Sequence, residues 1–189
     1  MRAGRVRYVR PAVFLDRDGT VIEEVGHLGE PERVVVLPGV PAALRKLADA
    51  GFALVVVTNQ AGVARGLFTE AAVEAVNLRI AELLAADGVR LDGMYHCPHH
   101  PDFTGPCDCR KPAPGMLRSA ARDLDLDLER SWMVGDHPSD AGAARAAGAR
   151  PVIVQTGHGL LPGWDHDPGP NVPIVDDLPA AADLILEGR

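Results

Sequence analysis

Residues 13–20 read Val-Phe-Leu-Asp-Arg-Asp-Gly-Thr, an apolar run that ends in two aspartates one residue apart. The apolar residues are typical of a buried strand, and the Asp-Gly pair is typical of a turn. Asp16 and Asp18 therefore leave the end of the strand together. Two carboxylates so close repel each other unless a cation lies between them or one keeps its proton. The stretch predicts either a simple polar turn, or a nucleophile (Asp16) beside a hard metal ion with Asp18 as an acid of raised pKa.

Short apolar runs alternate with helical segments along the rest of the chain. Residues 53–57 are a continuous, mainly β-branched run, which is typical of a strand buried on both faces. Because strands and helices alternate, we expect an α/β fold with a parallel sheet and helices on both faces. The predicted strands are 12–15, 53–57, 91–96, 131–134, 151–154 and 174–175, and the predicted helices are 38–50, 69–86, 114–124, 138–147 and 178–186.

Length and composition limit the possible functions. The chain has 189 residues, 47% of them hydrophobic, and a net charge of −7. We therefore expect one domain (1–189) that binds neither nucleic acid nor a membrane surface. The arginines of residues 1–9, with Arg10, predict a frayed basic N-terminus without the apolar stretch of a secretion signal. Three clustered cysteines indicate a reduced compartment, so we expect a cytoplasmic protein, and a monomer.

Polar residues follow several predicted strands at the point where each strand ends. Asp16, Thr58 and Asp136 all stand in this position. Ligands bind outside the carboxyl ends of the strands in open parallel sheets. The three residues together therefore predict one site rather than three unrelated turns.

These residues suit a magnesium ion and a phosphate group. Asp16, Asp18 and Asp136 could supply hard oxygen ligands, since Mg²⁺ takes few carboxylates together with water and phosphate oxygens. The loop 58–62 offers a hydroxyl and backbone amides to a phosphate, and Lys111 offers a positive charge. The alternative for Lys111 is an ordinary solvated loop lysine.

A second cluster has the composition of a zinc site. Cys97, Cys107 and Cys109 lie within thirteen residues of one another, with two adjacent histidines at 99 and 100. Three thiols and one imidazole match a tetrahedral Cys₃His site, which has no open position and is therefore structural. The alternative is a set of free buried thiols with an incidental histidine.

In order and spacing, the first cluster resembles the four motifs of the haloacid dehalogenase (HAD) superfamily. The match comprises residues 16–20, residues 58–60, Lys111, and Gly135-Asp136 followed by Asp140. The resemblance implies a Rossmann-like HAD fold and a phosphohydrolase that forms a covalent aspartyl-phosphate.

The superfamily resemblance also implies a role for each catalytic residue. Asp16 attacks phosphorus, and Asp18 protonates the departing alkoxide and then deprotonates the hydrolytic water. Asp16, the main-chain oxygen of Asp18 and Asp136 hold magnesium, while Thr58 and Lys111 stabilise the transferring phosphoryl group. We expect Asp140 to support the site rather than to bind the metal.

The loop that carries the cysteine cluster, residues 97–109 (the zinc loop), narrows the resemblance to one subgroup of the superfamily. Residues 52–70, 95–100 and 107–116 are similar to the D-glycero-D-manno-heptose 1,7-bisphosphate 7-phosphatases, and the similarity extends over residues 10–187. Family members with this loop have Cys-x-His, which implies His99 rather than His100 as the fourth zinc ligand. Histidinol-phosphate phosphatase, a relative with a similar loop, is the alternative.

This subgroup implies a set of substrate-binding residues. Arg110 contacts the distal C1 phosphate, a role that suits a guanidinium fork. His137 stands where the family often has Lys, and the first substrate loop differs from the expected Asn and aromatic residue. The implied substrate-binding residues are Glu24, Val25, Gly26, His27, Asn59, Gln60, Arg110 and His137.

The spacing of the motifs leaves no room for a cap domain. Only 39 residues separate Asp18 from Thr58, and 52 separate Thr58 from Lys111. We therefore expect a capless fold with an open pocket. A receiver-type signalling module and an inactive zinc-binding protein are the rivals from other classes. The receiver needs neither Asp18 nor a zinc loop, and the inactive protein has no reason to keep the acidic cluster with Lys111.

Overall fold

The computed structural model describes residues 9–157 and 167–188, and a parallel sheet forms its centre. The strands are β1 (Arg10–Leu15), β2 (Ala53–Asn59), β3 (Gly93–Cys97), β4 (Leu126–Gly135), β5 (Arg150–Val154) and β6 (Ile174–Val175). Their order in the sheet is β3-β2-β1-β4-β5-β6, and every neighbouring pair is parallel. The carboxyl ends of β1, β2 and β4 are therefore adjacent at one edge of the sheet.

The described residues form seven α-helices. They are α1 (Val40–Asp49), α2 (Ala61–Ala64), α3 (Glu70–Ala86), α4 (Pro101–Thr104), α5 (Gly115–Leu124), α6 (Pro138–Ala147) and α7 (Leu178–Glu187). Side chains of α1, α3 and α7 pack in one hydrophobic cluster with Val13 and Leu15, while those of α5 and α6 pack with Ala12 and Phe14 in another. Because successive strand residues point to opposite faces, β1 is buried on both sides. The predicted α/β architecture with helices on both faces is confirmed.

All the predicted strands and helices are present, but the sequence did not predict the first half of β4 or three short helical segments. Strand β4 begins at Leu126 rather than at residue 131, because charged side chains interrupt the apolar pattern of residues 126–130. A register shift between Pro11 and Val13 admits this extension, and the Ser131 hydroxyl accepts the Ala12 N–H at 2.8 Å. The other missed elements are the short helices α2 and α4 and a 3₁₀ turn, Pro31–Arg33.

The segments between the motif strands contain no inserted domain within the described residues. The connection from β1 to β2 holds the 3₁₀ turn and α1, and the connection from β2 to β3 holds α2 and α3. The capless expectation is therefore confirmed for this part of the chain. Over residues 9–157 and 167–188, every helix is too short or too polar to span a membrane.

The structure describes only the end of the predicted frayed basic N-terminus, from residue 9 onward. Arg10 is the first residue of β1 and pairs with Asp92, so it is not part of a solvated terminus. Residues 1–8 lie outside the described part of the chain. The Gly- and Pro-rich sequence of residues 156–173 predicts a surface loop, and half of that stretch, residues 158–166, also lies outside the described residues.

Candidate active site

A cavity of about 490 Å³ opens at the carboxyl ends of β1, β2 and β4. All but one of the predicted catalytic and substrate-binding residues line it, together with the magnesium-binding candidate that follows β4. These residues are Asp16, Asp18, Glu24, Gly26, His27, Thr58, Asn59, Gln60, Arg110, Lys111, Asp136 and His137. Residues far apart in the sequence therefore meet here, as the strand-end pattern predicts.

Lys111 is the buried cation of this site. Its Nζ lies 2.8 Å from Asp16 Oδ1 and 2.6 Å from Asp140 Oδ1, and it donates to the carbonyl of Val57 at 2.9 Å. Only 3% of the residue is exposed. Lys111 is therefore not a solvated loop lysine, because three oxygen atoms fix its ammonium group at the floor of the cavity.

The charges of this cluster perturb one another. Burial raises the pKa of Asp16 to about 7, against the opposing effect of Lys111 and with a smaller contribution from Asp140. Burial also raises the pKa of Asp140, although Lys111 opposes it. Burial alone lowers the pKa of Lys111, but the two carboxylates outweigh it and the net shift is upward. Because two carboxylates share one ammonium, the cluster has an excess of negative charge, which a bound cation could neutralise.

Asp18 lies beside Asp16 but has different partners. Arg17 donates to both Asp18 oxygens, at 3.0 and 3.2 Å, and Gln60 Nε2 donates to Oδ2 at 2.9 Å. Gln60 also donates to the Thr58 hydroxyl at 3.0 Å, and Thr58 is 1% exposed. The end of β2 therefore contacts the second aspartate, whereas Lys111 contacts the first.

Gly19 allows the turn after β1 to approach Asp136. Its φ is +78°, and a Cβ there would lie 2.4 Å from Asp136 Oδ2. Any larger residue would therefore displace the carboxylate that follows β4. The Asp-Gly pair noted in the sequence has this close approach as its physical basis.

Carboxylate oxygens of Asp16, Asp136 and Asp140 lie within 4.8 Å of one another and could hold a metal ion. Asp140, however, contacts Lys111, and its Oδ2 accepts the His137 N–H at 3.0 Å. These contacts fit the expected supporting role of Asp140. Asp16 and Asp136 are then the side chains that best suit Mg²⁺, which prefers hard carboxylate oxygens.

Asn59 contacts the main chain of Lys111 rather than facing the cavity with free polar atoms. Its Oδ1 accepts the Lys111 N–H and its Nδ2 donates to the Lys111 carbonyl, both at 3.0 Å. The end of β2 is thus attached to the segment that carries Lys111. This contact indicates a positioning function in addition to the predicted substrate contact.

The second cluster brings three thiols and His99 together. Sγ of Cys109 lies 2.9 Å from Cys97 Sγ, 3.4 Å from Cys107 Sγ and 3.3 Å from His99 Nδ1. All four donor atoms lie within 4.8 Å of one another. No disulfide joins these cysteines. The arrangement fits a four-coordinate zinc ion, since soft thiolates and imidazole are its usual ligands.

His100, the other candidate histidine, points elsewhere. Its Nδ1 accepts the Asp102 N–H at 3.3 Å, which makes His100 the N-cap of α4. It also lines the active-site cavity. The zinc loop therefore directs one histidine to the thiols and its neighbour to the cavity.

The zinc loop also delivers Arg110 to the cavity wall. Arg110 Nη1 donates to the His99 carbonyl at 3.2 Å. Arg65 lines the same cavity, and its guanidinium lies 5.6 Å from the ring centroid of Phe103. Arg65 and Arg110 therefore both line the cavity in addition to Lys111.

The loop after β1 corrects one sequence expectation. Val25 does not line the cavity but packs against the hydrophobic core, whereas Glu24, Gly26 and His27 line the wall. Gly26 has φ +81°, and its N–H donates to Glu24 Oε1 at 2.6 Å. This tight turn points Val25 away from its neighbours, which explains the difference.

His137 begins α6. Its side chain accepts the Ser139 N–H at 3.1 Å, while the Asp140 carboxylate accepts the His137 N–H, and together they form a capping box. The His137 side chain therefore caps α6 as well as lining the cavity. Ala61, in the predicted phosphate-binding loop 58–62, also lines the cavity, and the lining residues that the sequence did not predict are Arg65, His100, Pro112 and Ser139.

Comparison with known proteins agrees with this geometry. The HAD-hydrolase-like family model matches residues 108–181. D-glycero-beta-D-manno-heptose-1,7-bisphosphate 7-phosphatase of Escherichia coli (strain K12) is 46% identical over 90% of this chain and 93% of that protein. The chain belongs to the D-glycero-D-manno-heptose 1,7-bisphosphate 7-phosphatase family. The resemblance that the motifs indicated is thereby confirmed.

Two further relatives extend the family comparison. The D-glycero-D-manno-heptose-1,7-bisphosphate 7-phosphatase of Thermosynechococcus vestitus is 45% identical over 93% of this chain and 95% of that protein. The crystal structure of D,D-heptose 1,7-bisphosphate phosphatase from B. bronchiseptica, complexed with magnesium and phosphate, superposes with a TM-score of 0.85. It is 37% identical and covers 95% of this chain and 99% of that chain. The similarity in sequence and fold therefore extends over nearly the whole of both chains.

Proposed function

We propose that this chain is a magnesium-dependent phosphatase that removes the 7-phosphate of D-glycero-D-manno-heptose 1,7-bisphosphate and leaves heptose 1-phosphate. The observation that carries the proposal is the cluster of Asp16, Lys111 and Asp136 at adjacent strand ends in a chain of this family. A carboxylate fixed by a buried ammonium can attack a phosphoryl group whose charge the same ammonium neutralises.

The proposed reaction has two steps. In the first, an Asp16 oxygen forms a bond to phosphorus, the bond from phosphorus to the sugar oxygen breaks, and Asp18 gives that oxygen its proton. In the second, Asp18 takes a proton from water, the water oxygen attacks phosphorus, and the bond to Asp16 breaks. Thr58 and Lys111 donate to the phosphoryl oxygens in both steps.

The residues present fit a magnesium ion. Asp16, Asp136 and the main-chain oxygen of Asp18 would hold it, and the excess of carboxylates over ammonium groups supplies the negative charge that such an ion requires. When bound, Mg²⁺ neutralises charge on the transferring phosphoryl group. The residues of the chain then need to supply only the nucleophile, the proton transfers and the orientation.

The charges at the cavity wall support a doubly phosphorylated substrate. Arg65 and Arg110 lie in the wall beyond Lys111, so a second phosphate could bind while the first reacts. Guanidinium forks suit phosphate oxygens. Histidinol phosphate has a single phosphate and a cationic amine, which two arginines at the wall disfavour. The heptose bisphosphate is therefore the better candidate.

We further propose that zinc is structural, that the chain is one capless domain, and that it acts as a cytoplasmic monomer. The four-donor cluster has no spare position for substrate, and it stands beside Arg110 in the sequence. Free cysteines suit a reducing compartment. Light scattering on the full chain would contradict the monomer if it gave a larger mass.

Steady-state kinetics on four substrates tests the proposed function. The substrates are the two anomers of heptose 1,7-bisphosphate, fructose 1,6-bisphosphate and histidinol phosphate. We expect the highest kcat/KM for one heptose anomer, with ³¹P NMR showing that the sugar-1-phosphate signal remains. Asp16→Asn, which is nearly isosteric, is the matched control and should be inactive. A highest kcat/KM for histidinol phosphate would establish the alternative.

A further inference from the structure

Arg17 places a guanidinium that is closed to solvent beside Asp18. The residue is 0% exposed. Its Nε and Nη2 donate to the two carboxylate oxygens of Asp18 at 3.0 and 3.2 Å, and its Nη1 donates to Asn77 Oδ1 on α3 at 3.1 Å. A fork that contacts both oxygens is the most directional pairing available to a carboxylate. Asn77, itself only 8% exposed, fixes the other side of the fork.

The turn after β1 does not depend on this side chain for its shape. The Arg17 carbonyl accepts the N–H groups of Val21 and Ile22 at 2.9 and 3.1 Å, and an Asp16 oxygen accepts the Arg17 N–H at 2.7 Å. A buried ion pair is also a weak source of stability, because the desolvation of both charges offsets their attraction. What the pair does provide is a fixed orientation of one carboxylate.

We propose that Arg17, held by Asn77, is a positioning residue that orients Asp18 for proton transfer. The inference rests on the proposed function, in which Asp18 protonates the leaving oxygen and then activates water. Gln60 holds the same carboxylate from the cavity wall at 2.9 Å. Arg17 and Gln60 therefore fix Asp18, with Asn77 holding Arg17, whereas Lys111 fixes the nucleophile Asp16. The two aspartates are thus positioned by separate groups.

Because Asp18 and Asp16 are positioned by separate groups, the effect of losing the Arg17 contact on the first step should depend on the leaving group. An alkoxide needs a proton from Asp18 when its bond to phosphorus breaks, but p-nitrophenolate leaves without one. Loss of the Arg17 fork should slow transfer to Asp16 from an alkyl phosphate and spare transfer from p-nitrophenyl phosphate. Because water must lose a proton in either case, the second step should be slow with both substrates.

Rapid-mixing kinetics with heptose 1,7-bisphosphate and p-nitrophenyl phosphate tests the proposal. The variants are Arg17→Met, Arg17→Lys and Asn77→Ala. Of these, only Asn77→Ala keeps both members of the Arg17–Asp18 pair. Arg79→Met, an exposed arginine on the same helix as Asn77, is the matched control and should behave like the unaltered chain. Circular dichroism and binding of the magnesium–fluoroberyllate mimic to Asp16 report whether each variant keeps the fold and the nucleophile site.

We expect Arg17→Met to lose about 100-fold or more in kcat/KM for the bisphosphate, in the range of one general acid. With p-nitrophenyl phosphate it should give a burst of about one nitrophenolate per chain followed by slow turnover, which is the sign of an accumulating covalent intermediate. Asn77→Ala should show the same pattern with about a tenfold loss, and Arg17→Lys should recover part of the activity.

Two results would overturn the inference. One is an equal loss of the first step with both substrates, which a merely structural role predicts. The other is unchanged turnover of the bisphosphate by a folded variant. If Arg17→Met does not fold, Asn77→Ala decides by the same comparison. Inactivity of the unaltered chain toward all phosphate esters would instead contradict the proposed function, so the two failures are distinguishable.

Discussion

Asn59 and Lys111 are joined by a pair of hydrogen bonds, each 3.0 Å long, between the Asn59 amide and the Lys111 main chain. The pair connects the end of β2 to the segment that follows the zinc cluster. It fixes the position from which the Lys111 ammonium reaches Asp16 at 2.8 Å. A residue expected from the family resemblance to bind substrate thus holds the buried Lys111 in place.

The first prediction concerns this pair. Asn59→Ala should lower kcat by about 10- to 100-fold with little change in KM, because misplacement of a catalytic group affects the transition state more than ground-state binding. Steady-state kinetics on the preferred bisphosphate measures both parameters. A rise in KM at unchanged kcat would assign Asn59 to substrate binding instead. Asn171→Ala, outside the cavity, is the matched control.

The second prediction is a pH dependence of metal binding. Burial raises the pKa of Asp16 to about 7 in the metal-free chain, so a proton competes with Mg²⁺ below neutral pH. The apparent Kd should fall by roughly tenfold for each pH unit from 5 to 7 and level off above. Below pH 7 each bound ion should displace about one proton.

Calorimetry in buffers of different ionisation enthalpy measures this proton release. Asp16→Asn provides the control, because any residual Mg²⁺ binding through Asp136 should lose the proton linkage near neutral pH. The raised pKa of Asp16 also affects the stability of the fold. A carboxyl whose pKa is raised in the fold destabilises the metal-free chain as pH rises through that pKa, and magnesium should remove this loss. A Kd independent of pH between 5 and 8 would contradict the prediction.

The sequence allowed the sheet and the site to be predicted together, because both depend on strand ends. Once β1, β2 and β4 are parallel neighbours, residues such as Asp16, Thr58 and Asp136 must meet at one edge. No side-chain detail is needed for that step. The zinc cluster was predictable for a similar reason, since its donors are close in sequence as well as in space.

Other features depend on packing between distant segments, which a single sequence does not encode locally. The contact of Arg17 with Asn77 joins the turn after β1 to α3 across 60 residues, and nothing in the sequence near Asn77 indicates that it meets the motif of residues 16–20. The direction of Val25 depends on the pairing of Ile22 with Val36 and on the turn at Gly26. Charged residues at 127, 129 and 130 concealed the first half of β4, where pairing with β1 overrides weak strand propensity.

The third prediction concerns zinc. Metal analysis of the purified chain should find about one zinc per chain, bound by Cys97, His99, Cys107 and Cys109. Removing it with a chelator, and then restoring magnesium, should lower the Tm by roughly 10 °C, because metal binding and folding of the loop are coupled. Cys107→Ser should reproduce the effect, whereas His100→Ala should retain the zinc. A folded, stable and active protein without zinc would contradict this assignment.

The fourth prediction separates phosphate recognition from chemistry. Arg110 lies in the cavity wall, held at 3.2 Å by the His99 carbonyl, and it does not contact the buried cluster of Lys111, Asp16 and Asp140. Arg110→Ala should therefore lower kcat/KM for the bisphosphate by about 10- to 100-fold, the worth of a hydrogen bond to a charged group. Hydrolysis of p-nitrophenyl phosphate, which has no second phosphate, should change by less than about threefold.

The control for this experiment is Arg118→Ala, since Arg118 is exposed and its guanidinium donates to the Ala146 carbonyl, outside the cavity. Arg110→Lys distinguishes charge from shape, because an ammonium keeps the charge but cannot present a planar fork. If the fork matters, Arg110→Lys should recover only part of the lost kcat/KM. Equal losses with the bisphosphate and the monoester would instead place Arg110 in support of the zinc loop, with no separate contact to the second phosphate.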